Sequence, residues 1–271
     1  MSKSRRSERM VVITRLLTQR PRNLFSLNYF SESFSAAKST ISEDLTIMRD
    51  ACHKWGLGEV VTIPGAAGGV KFVPKQNRRE TEELIEYLQQ EIARGDRILP
   101  GGYLYMADLS YNPQMISRVG QLFATIFSDL KPDYIVTVET KGIPLALMTA
   151  NAFNVPLVII RANNKVTEGS AVSINYVSGS TQRIQSMSLA RRAIPANAKV
   201  IIIDDFMKAG GTARGMHDLL AEFNAQVLAT GVMVATSEPQ EKLVANYVSI
   251  LDLISVDTVG KQIEVAPGSW Y

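Results

Sequence analysis

The run of residues 200–215, VIIIDDFMKAGGTARG, holds the side chains best suited to chemistry. Its apolar start predicts a buried strand, and two adjacent carboxylates, Asp204 and Asp205, follow at the carboxyl end, where burial without a partner is costly. Carboxylates in such a place are satisfied by the vicinal hydroxyls of a ribose or by a divalent cation held near them. The loop that follows, Phe206, Met207, Lys208, Ala209, Gly210, Gly211 and Thr212, adds a glycine pair that lets backbone N–H groups turn inward, a hydroxyl and a cation. With a helix starting directly afterwards, this is the make-up of a phosphate cradle on a helix N-terminus. The spacing of a Walker loop is absent, and so is a dinucleotide fingerprint. The plainer alternative is a capped turn carrying two surface acids.

Such a loop needs a sheet to hold it. Short β-branched runs at 133–138, 156–160, 199–203, 227–235 and 248–254 predict strands, and the helical stretches 114–130, 143–152 and 207–223 lie among them. That alternation predicts an α/β domain, a parallel sheet covered on both faces, with ligands at the carboxyl ends of its strands. Ahead of it, 77–92 reads as an acidic connecting helix with Leu84, Tyr87, Leu88 and Ile92 on one face. Residues 99–105 break that helix and carry Tyr103 into a strand or loop.

The first 75 residues differ in kind. They carry 12 Lys and Arg against 6 Asp and Glu, whereas residues 76–271 carry 17 against 20. A basic head on a mildly acidic body suits a polyanion partner, and it also suits a merely solvated surface. Met10, Ile13, Leu16 and Leu17 give 7–19 a helical apolar face set among Arg5, Arg6, Arg9 and Arg15. A second helix at 27–34 and a short turn lead to a third at 39–54, with Ser39 as its cap and Glu43 and Asp44 near its positive end. Ile41, Leu45, Met48 and Cys52 line its inner face, Trp55 closes it, and 60–63 and 70–73 form a hairpin around a Gly-rich turn. Helix, helix, turn, helix and hairpin is the order of a winged helix-turn-helix, predicting domains at 1–75 and 76–271. Lys38, Ser39, Thr40 and Ser42 would lead the recognition helix into a major groove, and Arg5, Arg6, Arg9 and Arg15 would meet phosphates. For that, Glu43 and Asp44 must turn away from the groove. Small three-helix modules also serve protein contacts.

Composition bounds the remaining options. The 271 residues include one cysteine and two histidines, so an internal disulfide and a cysteine-based zinc site are excluded. No run approaches the roughly 20 apolar residues of a membrane helix, and a cytoplasmic location is expected. Neither a metal cluster nor an acid or base beyond the binding set is evident.

The segment DDFMKAGGT resembles the phosphoribosyltransferase signature, in which two acids and a Gly/Thr loop hold the ribose and 5′-phosphate of phosphoribosyl pyrophosphate (PRPP). TVETKGIP resembles the loop that receives pyrophosphate, which implies a role for Lys141 and Gly142, and the insert 165–192 resembles the flexible loop that closes over PRPP. Lys208 and Ala209 stand where many of those enzymes have Ala and Thr, so one loop hydroxyl is exchanged for a cation. Together with the basic winged helix, the chain resembles the purine operon regulators, bacterial transcription factors that join these two domains. The resemblance implies a homodimer that binds double-stranded DNA at purine gene control regions, has PRPP with Mg²⁺ as effector and performs no transferase turnover. It also implies guanosine tetraphosphate as a ligand of the same pocket, with Tyr103 stacking on the base. A catalytic purine phosphoribosyltransferase of the xanthine type with an appended basic domain is the alternative.

Overall fold

The computed structural model describes residues 4–65, 67–163, 169–177 and 183–270. They divide into two compact units: one reaches Glu80 and takes in Asn151–Asn154, and the other is Thr81–Ala150 with the chain from Val155 onward.

In the first unit, helices α1 (Arg6–Gln19), α2 (Leu27–Phe34) and α3 (Lys38–Trp55) precede the antiparallel hairpin of β1 (Glu59–Ile63) and β2 (Gly69–Val73). Phe25 exchanges two backbone hydrogen bonds with Val70, at 2.9 and 2.8 Å, and so adds a one-residue third strand to the wing. Ile13, Leu17, Phe30, Ile41, Leu45, Val60 and Val70 form one apolar core. Ser26 caps α2, its hydroxyl accepting from the Tyr29 N–H at 3.1 Å. This is the winged helix expected from the order of the elements.

Three details differ from expectation. Arg9 is 5% exposed and donates to both carboxylate oxygens of the fully buried Asp44, at 2.7 and 3.2 Å, so it cannot reach a DNA phosphate. Asp44 therefore does turn inward, and Glu43 stays outside in an ion pair with Arg6 at 2.9 Å. The N-cap of α3 is Ala37, which leaves Ser39 inside the first turn, and that turn holds no acid. Trp55, expected to close the core, is 69% exposed: it shares the inner face by spacing but is the last residue of α3, past Cys52, where the apolar core ends.

The second unit takes in α4 (Arg78–Ile92) from Thr81 on, the two-stranded β3 (Ile98–Leu99) and β4 (Tyr103–Leu104), α5 (Ala107–Ser110) and α6 (Pro113–Ile126). Then come β5 (Tyr134–Val138), α7 (Ile143–Phe153), β6 (Leu157–Ile160), the pair β7 (Ala171–Val177) and β8 (Ile184–Ala190), and β9 (Lys199–Met207). The unit ends with α8 (Gly211–Ala221), β10 (Gln226–Thr236), β11 (Val248–Asp257) and β12 (Gln262–Pro267). The main sheet has six strands in the order β12, β11, β10, β9, β5, β6; its pairings are parallel except β11 with β12. The expected α/β class holds, with an antiparallel edge strand added to the parallel sheet. Leu84, Leu88 and Ile92 face the core as the sequence pattern predicts, but Tyr87 is 42% exposed and Ile85 is buried in its stead. Trp270 Nε1 donates to the Ile250 carbonyl at 3.1 Å and ties the last residues back to β11. Among the described residues no helix is long and apolar enough to cross a membrane.

The Arg9–Asp44 pair gives the first unit a specific vulnerability. Removing one partner leaves the other charged and buried, and Asp44→Ala is expected to cost about 3–5 kcal/mol. The double variant Arg9→Met with Asp44→Leu is expected to recover most of that loss, as read by urea denaturation of the full chain.

Candidate functional site

The site is built on β9. The strand runs through Met207, so Asp204 and Asp205 lie within it and not beyond its end as expected, and the pleat sends them to opposite faces. Asp204, 8% exposed, lines a cavity of about 100 Å³ shared with Met207, Lys208, Ala209, Gly210, Gly211 and Thr212. Asp205 lines a larger one of about 510 Å³ with Tyr103, Lys141, Phe206, Lys208 and Ile254. Phe206 and Lys208 border both.

Positioning comes from the neighbouring elements. Gly210, at φ 81°, opens α8, and its carbonyl accepts from the Arg214 N–H at 2.8 Å while the Ala209 carbonyl is held by the Leu243 N–H at 2.9 Å. Fixing these carbonyls sets the peptide planes of the loop, and the positive end of α8 lies behind them. On the other side, Gly142 seats the turn between β5 and α7 directly on Asp204. A Cβ there would stand 2.5 Å from Asp204 Oδ1 and 2.6 Å from Thr137 Oγ1, so no larger residue fits without moving the acid. The Glu139–Thr140 peptide in this turn is cis. Lys141, next to Gly142, is exposed and close enough to Asp205 to stabilise its anion.

Electrostatics make the pair costly. Burial pushes the Asp204 carboxyl well above the usual carboxylate range, and the neighbouring Asp205 pushes it further. Burial likewise raises Asp205, against which its hydrogen bond with Asp204 and the Lys141 charge pull down. Within the protein, then, the two acids have too little positive charge around them. Hydroxyls donating into both carboxylates, or a divalent cation beside them, would supply what is lacking. Among the described residues no group of three or more His, Cys, Asp and Glu stands together as a metal centre, so a cation here would depend on ligands brought by the bound molecule.

The structure brings together Lys141, Gly142, Asp204, Asp205 and the whole loop from Phe206 to Thr212. The Met207 side chain packs into the core, which leaves mainly its backbone to face the loop. Tyr103 sits at the lip of the larger cavity, 60% exposed, on the β3–β4 hairpin. What holds that hairpin is Arg97, a residue sequence reasoning missed: 4% exposed, it donates to both Asp108 oxygens at 2.7 and 2.8 Å and to the Tyr105 carbonyl at 2.8 Å. In the sequence it is one more basic residue after an acidic helix, with no pattern to mark it as buried. Of the insert 165–192, residues 165–168 and 178–182 lie outside the described residues; the rest includes the strands β7 and β8, which had been expected only as a loop.

On the winged helix, Arg5, Arg6, Arg15, Lys38, Ser39 and Ser42 are exposed and Thr40 is half-buried. Arg6 also reaches Asp44 at 3.1 Å, and Arg15 projects from the exposed face of α1.

With this geometry in view, comparison with known proteins locates the chain. The family model described as bacterial purine repressor, N-terminal, matches residues 5–74, and the phosphoribosyl transferase domain matches residues 107–267. The purine biosynthesis transcriptional repressor PurR of Bacillus subtilis (strain 168) is 51% identical over 99% of this chain and 94% of its own length. A purine biosynthesis transcriptional activator PurR of Lactococcus lactis is 36% identical, covering 98% of both chains. Among solved structures, adenine phosphoribosyltransferase from Thermoanaerobacter pseudethanolicus superposes with a TM-score of 0.54 at 17% identity, over 62% of this chain and 99% of that one, a likeness of fold. Two domains in this order, matched along almost the whole length, place the chain in the family of bacterial purine biosynthesis transcriptional regulators.

Proposed function

We propose that this protein is a DNA-binding regulator of purine biosynthesis genes that senses PRPP, with Mg²⁺, in a phosphoribosyltransferase-type pocket that does no chemistry. The observation that carries this is the desolvated Asp204–Asp205 pair beside a phosphate loop, in a chain whose other unit is a basic winged helix. The acids accept from the ribose hydroxyls. Residues 208–212 hold the 5′-phosphate with backbone N–H groups and the Thr212 hydroxyl, and Lys141 meets the pyrophosphate. Bound Mg²⁺ supplies the positive charge that the carboxylates lack. The larger cavity, with Tyr103 at its lip and Ile254 on its wall, accepts the base of a nucleotide such as guanosine tetraphosphate. The protein lies in the cytoplasm and works as a homodimer, whose two winged helices read two half-sites. On each, α3 enters the major groove through Lys38, Ser39, Thr40 and Ser42, while Arg5, Arg6 and Arg15 bind phosphates. Effector changes DNA affinity to the extent that it binds the DNA-competent and DNA-incompetent states differently. The likeness to purine biosynthesis transcriptional regulators along almost the whole chain supports the regulator over a xanthine-type transferase.

The deciding experiment is a gel-shift titration of the purified protein on a purine gene control fragment, with and without millimolar PRPP and Mg²⁺. PRPP is expected to shift the DNA affinity of the wild type, and the double variant Asp204→Ala with Asp205→Ala is expected to bind DNA but ignore PRPP. Formation of nucleotide and pyrophosphate from PRPP and a purine base, without salt-sensitive DNA binding, would establish the enzyme instead.

Two further outcomes follow from charge. Arg15→Ala is expected to weaken DNA binding equally on all sequences and to reduce the slope of log K against log salt by about 0.9, measured by fluorescence anisotropy. The raised carboxyl pKa values work against the free protein: their contribution to stability is full below the ordinary carboxylate range and is lost as pH rises through the raised values. Asp204→Asn is therefore expected to raise the Tm of the effector-free protein near neutral pH, by about 2–4 °C per kcal/mol relieved, while abolishing the response to PRPP.

A further inference from the structure

One side chain ties the turn after β5 to the chain that leaves β6. Val138 stands opposite Ile160 in the parallel pairing of these strands, and the Glu139 N–H donates to the Ile160 carbonyl at 2.9 Å. The next bond of a parallel ladder would run from the Ala162 N–H to the backbone carbonyl of residue 139. Here the Ala162 N–H donates instead to Glu139 Oε1, at 2.7 Å, while Oε2 accepts from Arg161 Nη1 at 3.2 Å. The carboxylate takes the place of its own residue's carbonyl. A rung is kept, yet the main chain after Glu139 no longer has to follow β6.

The two sides of the rung part company at this point. The turn leaves on the side of β9, which flanks β5 opposite β6, and there Gly142 rests against Asp204 and Lys141 lines the larger cavity with Asp205. Ala162 stays in line with β6: Arg161 and Ser188 exchange backbone bonds at 3.0 and 2.7 Å, and Ser186 Oγ donates to the Ala162 carbonyl at 3.0 Å. The glutamate side chain spans the gap that the departing main chain leaves.

We propose that Glu139 is a positioning residue for the pyrophosphate end of the ligand: its carboxylate substitutes for a main-chain acceptor beside β6 and so lets the turn carry Lys141 to the anion. Without that carboxylate the ladder can close one rung further, from the Ala162 N–H to the carbonyl of residue 139, which draws the turn back toward β6 and Lys141 away from the cavity. The proposal rests on the reading of Lys141 as the pyrophosphate contact. Charge acts in the opposite direction and so separates the causes: a carboxylate near a polyanion repels it, and removing that charge would by itself tighten binding. Glu139→Ala and Glu139→Gln remove the charge alike, but glutamine keeps an oxygen that can accept from the Ala162 N–H, while the partly exposed Arg161 can turn to solvent.

The test is calorimetry of the full-length protein with PRPP and Mg²⁺, with pyrophosphate and Mg²⁺, and with ribose 5-phosphate, the Tm of each variant serving as a check on folding. Glu139→Ala is expected to weaken PRPP and pyrophosphate binding about tenfold, the worth of one charge-assisted hydrogen bond. Ribose 5-phosphate, which has no pyrophosphate, is expected to change by no more than about twofold. Glu139→Asp, which keeps the charge but is one methylene short, is expected to behave as Glu139→Ala does. Glu139→Gln is expected to bind all three ligands within about threefold of wild type, its loss being that of a partly exposed ion pair. Equal weakening of all three ligands in Glu139→Ala, unchanged or tighter binding of PRPP, or a Glu139→Gln as impaired as Glu139→Ala would overturn the role of Glu139 alone. If the wild type binds ribose 5-phosphate but not pyrophosphate, and PRPP no tighter than ribose 5-phosphate, the Lys141 assignment falls and the role of Glu139 with it. If it binds none of the three, the pocket assignment itself falls.

Discussion

A carboxylate held inside a sheet without enough positive charge around it is the constraint on which the second unit turns. Asp204 stands on a central strand between Val232 of β10 and the turn carrying Gly142, with its anion disfavoured first by lost hydration and then by Asp205. Each neighbouring element answers to that burial. The turn after β5 can approach only because position 142 has no side chain. The loop after β9 must present donors rather than acceptors. Stability is given up here, and the apolar core around the sheet must offset it. Any ligand that donated hydroxyl protons to the pair would recover part of that cost.

The winged helix solves the opposite problem. Its surface carries an excess of cations, and one of them, Arg9, is withdrawn into the core by Asp44. That pair fastens α1 to α3 across 35 residues of sequence and at the same time removes an acid from the face of the helix proposed to meet DNA. The cations that stay at the surface act on solvent and polyanions through a field that salt can screen.

Legibility in the sequence followed the range of the forces involved. The glycine pair, the two acids and the apolar strand were readable because backbone conformation and burial leave marks within a few residues. The same holds for α2, found at its full extent from helical spacing alone. Arg9 was misread because nothing local says that a helical arginine will find an aspartate one helix away. The run of β9 past Ile203 was hidden for a related reason: polar residues end the apolar pattern even though pairing with Val232 and Val234 carries the ladder on to Met207. Strand β7 left a signal that went unused. Its half-buried and exposed residues alternate from Ile174 to Val177, a period of two inside a Ser- and Asn-rich stretch whose composition suggested a loop.

The chain's two tryptophans fall one to each unit, and their surroundings differ. Trp55 stands largely in water at the end of α3, whereas Trp270 donates its indole N–H to a strand carbonyl. Intrinsic fluorescence therefore carries two separate colours of information, a red-shifted emission from the helical head and a hydrogen-bonded indole reporting on the sheet. Substituting either indole leaves an optical probe confined to a single unit, with no label attached.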